Sequence, residues 1–309
     1  MSTSLSVSKL DAQQIPQFSQ YMFNGLYINP AYAGYKENMY AHLMYRKQWI
    51  GTKGAPQTIM ASVDAGFSGG LNLGLVYAND QIGPITTNSI MLSYAFRFPI
   101  TAEGRLAFGL SGGAIYYGLD KSKINRTDDL IPLTENAWRP QIDAGVYVDW
   151  PDFYAGFSVM GLLPNRPEDG TLQIMRAVPT WFWTVGGMVH FSDIFALAPS
   201  ALLKTDFKSP LSIDLSAMMV YSKTLWLGLT YRTGLNLTYE GRTDSPETLR
   251  QTNALVVTAE VYLTDNIRLG AAYDFDLNGL ATGYNGGIEV SLGYYIMRIR
   301  QRYSTPRYF

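Results

Sequence analysis

The chain has no cysteine among its 309 residues. A disulfide framework and thiolate metal sites are therefore excluded. Charge is scarce as well. Asp, Glu, Lys and Arg make up 16% of the chain, against roughly 25% in an ordinary soluble domain. The formal net charge is -1, too balanced for a nucleic-acid surface or an acidic tail, so no nucleic acid is expected as a partner. No stretch approaches the ~18 consecutive apolar residues of a transmembrane helix. The only histidines are His42 and His190. Their spacing fits neither H-x-x-x-H nor H-E-x-x-H, and no serine and carboxylate accompany them at a telling distance. No P-loop pattern occurs. The expectation is a protein without catalysis, cofactor or metal. Residues 1 to 12, MSTSLSVSKLDA, show no basic start followed by a long apolar core. The expectation there is either a mature form with a few extra residues or a truncated start.

What the chain does have is 22 Tyr, 14 Phe, 6 Trp and 29 Gly. Many aromatics, little charge and no spanning helix leave two fold classes. One is a large soluble β-sandwich. The other is a membrane barrel, whose alternating strands never read as continuously apolar. Alternation with period two is pervasive. Leu71, Leu73, Leu75 and Tyr77 share one face of their segment. Leu211, Ile213, Leu215, Ala217 and Met219 oppose Ser212, Asp214 and Ser216. Ile288, Val290, Leu292 and Tyr294 oppose Glu289 and Ser291.

Such segments predict about fourteen strands, the even number that bacterial barrels prefer. They fall at 38–50, 56–67, 70–79, 87–98, 104–118, 138–150, 153–163, 178–191, 194–204, 210–221, 224–235, 252–263, 266–276 and 284–297. Every second connection is short, as at Ser68-Gly69, Pro151-Asp152, Ser222-Lys223 and Thr264-Asp265. The long ones, Leu119 to Ala137, Pro164 to Ala177 and Asn236 to Gln251, all fall in the other set. A transmembrane barrel sorts its loops in this way, with short periplasmic turns and longer extracellular loops. A Greek-key sandwich has no reason to. The fold class expected is all-β, a transmembrane antiparallel β-barrel of the outer membrane with both termini periplasmic. Residues 1–37 form an N-terminal periplasmic segment, 38–297 the barrel and 298–309 a basic periplasmic tail. Hydrocarbon tolerates no open sheet edge, so 38–50 must pair with 284–297.

Turning the apolar face to lipid sends charge inward. His42, Arg46, Asp64, Arg97, Asp143, Asp214, Arg232, Glu260, Arg268, Asp274 and Glu289 are then expected in the lumen. Arg or Lys facing lipid at mid-depth would cost ~2–4 kcal/mol, so the register is strongly fixed. These groups could line a pore or form a salt-bridged plug. The lumen is expected to be mostly blocked by side chains, loops or the N-terminal segment. Trp49, Tyr77, Tyr94, Tyr116, Trp150, Trp181, Trp183 and Tyr231 suit an interfacial girdle near strand ends. The pairs Gly112-Gly113, Gly186-Gly187 and Gly286-Gly287 lie inside strands and mark bends, bulges or close packing.

Residues 16 to 34 read PQFSQYMFNGLYINPAYAG. This phrase resembles the start of the PorP/SprF family of Bacteroidota membrane proteins, associated with type IX secretion and gliding motility. Further matches are YRKQW at 45 to 49, PQT at 56 to 58, YDF at 273 to 275 and GGIEVSLGY at 286 to 294. The chain end departs from the family's Cys-Pro-Arg-Phe. Thr305 stands where the cysteine often is, and Tyr308 precedes the final Phe309. The resemblance implies an outer-membrane component that binds, exports or anchors a secreted cell-surface protein such as an adhesin, and that contacts outer-membrane lipid and periplasmic or outer-membrane secretion subunits. It brings no catalytic residues. Within the phrase, Phe18, Gln20, Tyr21, Asn24, Asn29 and Tyr32 are candidates to plug the lumen or dock a partner. The competing readings are a passive channel for small solutes or apolar molecules and, more remotely, a barrel hydrolase.

Overall fold

In a computed structural model of the chain, strands wrap into one closed antiparallel sheet. The structure describes residues 17–120, 134–163, 178–235, 253–277 and 285–297. Its strands are β1 (Met39–Ile50), β2 (Gln57–Gly66), β3 (Leu71–Ile82), β4 (Ile85–Pro99), β5 (Arg105–Asp120), β6 (Thr134–Trp150), β7 (Phe153–Met160), β8 (Thr180–Gly187), β9 (Val189–His190), β10 (Phe195–Thr205), β11 (Leu211–Tyr221), β12 (Leu225–Leu235), β13 (Ala254–Tyr262), β14 (Ile267–Asp276) and β15 (Asn285–Met297). Both β8 and β9 pair with β10, so together they make one interrupted stave of a 14-strand barrel. The interruption is at Met188, which points inward and donates its N–H to Asp152 O at 2.9 Å.

Side-chain alternation explains which face is which. Leu92, Leu110, Leu215 and Leu229 are more than half exposed, whereas Asp214 and Glu289 are fully buried. A protein surrounded by water would reverse this, because isolated carboxylates are the last groups to bury. A barrel in lipid requires it. The sheet closes where β1 meets β15, in a register running from Tyr40↔Tyr295 to Ile50↔Asn285. No ladder edge is thus left to face hydrocarbon.

Connections sort by end. At the near end, where β1 begins, the turns are 67–70, 100–104, 151–152, 191–194, 222–224 and 263–266. At the far end the described turns are 51–56, 83–84 and 206–210, and the strand ends on either side of the undescribed residues 121–133, 164–177, 236–252 and 278–284 lie there too. Every long connection is at the far end. The sequence pattern differs from this at several boundaries besides the break at Met188. Gly83 and Pro84 alone join β3 to β4, so most of the loop expected at 80–86 is strand. Here φ at Gly83 is +57°, a conformation that suits glycine in a tight hairpin. β6 begins at Thr134 rather than 138, and β7 stops at Met160 rather than 163. Of the aromatics expected at strand ends, Trp49, Trp150 and Trp181 are there, while Tyr77 and Trp183 stand at mid-strand. The basic tail at 298–309, and residues 1–16 of the N-terminal segment, lie outside the described residues.

Candidate functional site inside the barrel

The lumen is occupied by the chain's own residues 17–37. This segment runs from the far half, where Gln17 Nε2 donates to Asp214 Oδ1 at 3.0 Å on β11, to the near end, where Glu37 pairs with Arg105 at the start of β5. It folds as three short 3-10 turns, Tyr21–Phe23, Gly25–Tyr27 and Pro30–Tyr32. The last has a clear local cause. Asn29 Oδ1 accepts the Ala31 N–H at 2.9 Å, and proline occupies the first position of the turn. The backbone closes on itself through bonds such as Phe23 N to Gln20 O at 3.1 Å, Ile28 N to Gly25 O at 3.1 Å and Tyr35 N to Tyr32 O at 2.9 Å. Phe18, Tyr21, Phe23, Leu26, Ala31, Tyr32 and Tyr35 are all buried, and they form one apolar core with Met44, Met60, Tyr147 and Trp226 of the wall.

Wall side chains reach the plug's main chain along its whole length. Glu289 accepts the N–H groups of Ser19 and Gln20, each at 2.9 Å. Arg268 Nη2 donates to Phe23 O at 3.0 Å. The Ser158 hydroxyl donates to Ile28 O. Arg97 Nη2 donates to Ala31 O at 3.3 Å, and Asp64 accepts the Gly34 N–H at 2.9 Å. Plug side chains answer. Gln20 Oε1 accepts from Ser291 Oγ at 2.7 Å, Tyr21 OH bonds Ser200 Oγ at 3.1 Å, and Asn24 Nδ2 donates to Ser62 Oγ at 2.8 Å. Asn29 Nδ2 donates to Val146 O at 3.0 Å. Buried main-chain groups need such partners.

The expected inward residues are all buried, and most converge on the plug. Arg46 bridges Glu289 at 2.9 Å and also Asp274, and Arg232 holds Asp214 at 2.8 Å and Asp274 at 3.6 Å. Ser19 sits among them, its Oγ donating to Asp274 at 2.9 Å. At the near end Arg268 pairs with Glu260 at 2.9 Å, and Arg97 with Asp149 at 3.4 Å. His42 Nδ1 faces Asn24 Nδ2 at 3.1 Å. Asp143 stands apart, accepting from Ser111, Gln141 and Gly161, each at 2.8 Å. Of the six plug candidates, Phe18 and Tyr32 pack through their rings. Phe18 meets Tyr27 edge-on at 4.9 Å, and Tyr32 meets Tyr147 at 5.6 Å.

Sequence reasoning missed Lys36, Arg139, Asp149 and Lys204, which are buried too. The alternation starting at Asp143 would have carried Asp149 onto the same face. Lys36 precedes the first strand, so no periodicity reaches it. Its Nζ lies 4.4 Å from the centre of the Tyr40 ring. Burial holds the Lys36 ammonium well below its ordinary pKa. Arg268 adds to that, while Glu260 and Asp64 oppose it.

The wall makes room for the plug with small residues. A Cβ on Gly109 would fall on the backbone of Pro30 and Ala31, and one on Gly74 would meet Leu26 at 2.9 Å. A cavity of about 10 Å³ lies between plug and wall, lined by Phe18, Tyr21, Tyr27, Met44, Met60 and Phe182 among others. That is space for about one water molecule, not a ligand. Among the described residues, no group of three or more His, Cys, Asp or Glu could hold a metal ion. His190, at the near end, lies 3.0 Å from Asp152 on the exposed surface, far from His42 in the core.

No curated protein matches this sequence. Several solved barrels share its fold. A FadL homologue of Pseudomonas aeruginosa is 12% identical, with a TM-score of 0.50 over 92% of this chain and 95% of that one. The CymD monoaromatic hydrocarbon channel is 14% identical, with a TM-score of 0.50 over 88% of this chain and 92% of that one. Omp33 of Acinetobacter baumannii is 9% identical, with a TM-score of 0.47 over 84% and 99%. At these identities the likeness to the FadL homologue and to CymD speaks for architecture alone. The sequence itself matches the family model for the type IX secretion system membrane protein PorP/SprF over residues 10–294. The barrel is an outer-membrane one, and the chain belongs to the PorP/SprF family of type IX secretion system membrane proteins.

Proposed function

We propose that this barrel is a docking and anchoring platform of the type IX secretion and gliding apparatus. It binds a secreted cell-surface protein such as an adhesin, helping to export it or hold it at the surface. The observation that carries this reading is the occupied lumen. Arg46, Asp214, Arg232, Asp274 and Glu289 are committed to one another and to residues 17–20, so they do not line an open conduit. A barrel closed in this way acts through its surfaces. The short turns face the periplasm and the long loops face outward, as loop length sorts in bacterial barrels. The near end then meets periplasmic secretion subunits, and the far loops meet the cargo. The reading is of a non-catalytic role, in keeping with His42 buried against Asn24 and His190 at the rim.

A second reading has one specific support. The fold is shared with a protein described as a monoaromatic hydrocarbon channel and with a FadL homologue. On that reading the chain passes small or apolar solutes, and the plug moves aside.

Affinity capture of the full chain from outer membranes solubilised in mild detergents separates the two. Docking predicts co-recovery of a large cell-surface protein or secretion subunits. Recovery of the barrel alone under several detergents, together with solute flux in reconstituted vesicles, supports the channel and contradicts docking.

A further inference from the structure

The outer wall carries a built depression that the docking role does not use. It lies on the lipid-facing side, from β5 across β6, β7 and β8 to β10. Val146, Val148, Ala155, Phe157, Trp183 and Leu203 line it, and its cavity volume is about 380 Å³. This is within the ~300–1,000 Å³ range of ligand sites. No charged side chain lines it. We propose that this groove holds one acyl chain of a phospholipid from the near-end leaflet.

The floor is fixed from inside the barrel. Asn29 Nδ2 donates to Val146 O at 3.0 Å and to Phe157 O at 3.3 Å, so the plug grips the same two residues that line the groove outside. Only one backbone layer separates them. Two inward glycines make this possible. A Cβ on Gly145 would strike the Asn29 amide, and one on Gly156 would meet Thr184 Oγ1 at 2.6 Å and Tyr147 at 2.8 Å. The wall can therefore fold in against Asn29 and leave a hollow outside.

The surroundings select the occupant. Phe108, Leu110 and Ile142 beside the groove, and Val185 in its lining, are exposed, as residues of the hydrocarbon belt are. In hydrocarbon there is no hydrophobic force to draw a protein partner into an apolar hollow, whereas lipid tails are already present and gain packing contacts by filling it. The next outward residue on β6 after Val148 is Trp150. Its ring lies 6.0 Å from that of Phe153 at the near-end turn. Such an aromatic pair sits at headgroup level, so the tail enters from the near-end leaflet.

The test places the purified full chain in vesicles of phosphatidylethanolamine and phosphatidylglycerol that carry a trace of a phosphatidylethanolamine with a diazirine on its acyl chain. After irradiation, adducts are mapped by peptide mass spectrometry. Residues 146–148 and 155–157 should be labelled about tenfold above the outward residues Leu227 and Leu229 of β12, equivalent to ~1.4 kcal/mol of preferential residence. Ala155→Trp should fill the groove and bring its labelling down to the β12 level. Val148→Phe serves as a second filling variant, and heat-modifiable gel mobility verifies that each is folded. Even labelling around the belt, or undiminished groove labelling in folded filling variants, overturns the proposal.

Discussion

Arg46 on the first strand and Glu289 on the last are direct partners in the register that closes the barrel, and their side chains meet at 2.9 Å. The same carboxylate accepts the N–H groups of Ser19 and Gln20. One ion pair thus joins three things: the seam, the plug and the buried charge network. Removing one member of a buried pair strands the other and costs ~3–5 kcal/mol. Glu289→Ala should therefore lower the temperature at which the folded band is lost in heat-modifiability gels. Glu289→Gln, which keeps an acceptor for an N–H, should fall between the two. An unchanged transition in Glu289→Ala would show that the pair carries little.

Gly109 faces Pro30 and Ala31 so closely that a side chain there must push the plug's backbone aside. The collision involves main chain, which cannot yield as a flexible side-chain tip can. Gly109→Val should leave the barrel folded, as read by β-sheet circular dichroism, yet make the peptide at 17–37 far more susceptible to a protease added to detergent-solubilised protein. Equal cleavage in the native chain and the variant would contradict the tight fit.

Lys36 tests the sign of a buried charge. Its Nζ has no hydrogen-bond partner among the described residues, and burial lowers its pKa. An ammonium whose pKa is lowered by folding destabilises the fold most fully at pH below the folded value. The penalty fades as pH rises toward the unfolded value of ~10.4. Lys36→Met should thus melt higher than the native chain near neutral pH, by about 2–4 °C for each kcal/mol relieved. The gap should shrink in alkaline buffer. A lower melting point would show that the Tyr40 ring more than compensates the ammonium.

Orientation is testable without background labelling, since the chain has no cysteine of its own. Lys53 stands exposed in a far-end turn and Asp193 exposed in a near-end turn. Lys53→Cys should react with a membrane-impermeant maleimide on intact cells, and Asp193→Cys should react only after the outer membrane is permeabilised. The opposite pattern would invert the topology.

Much of the architecture was readable from residues because a barrel wall obeys a local rule. Asp214 beside Leu215, or Glu289 beside Val290, announces its face without reference to the rest of the chain. The short turns at 151–152 and 222–224 were readable for the same reason. The plug was harder. Its residues form 3-10 turns of three residues, too short for any period to show, so the motif at 16–34 marked the segment without giving its path. Which cation meets which carboxylate was also hidden. Arg232 and Asp274 come together only through the curvature of the closed sheet and the serine between them. The lipid-side hollow depends on Asn29 holding β6 and β7 inward through its bonds to Val146 O and Phe157 O, a relation that no stretch of sequence contains.

Conductance tests the closed lumen most directly. The purified full chain is inserted into planar bilayers beside Gly109→Val, and current is recorded across a range of voltages. A lumen sealed by residues 17–37 predicts no steady conductance for the native chain and stable open steps for the variant. Sustained, porin-like current through the native chain would contradict it.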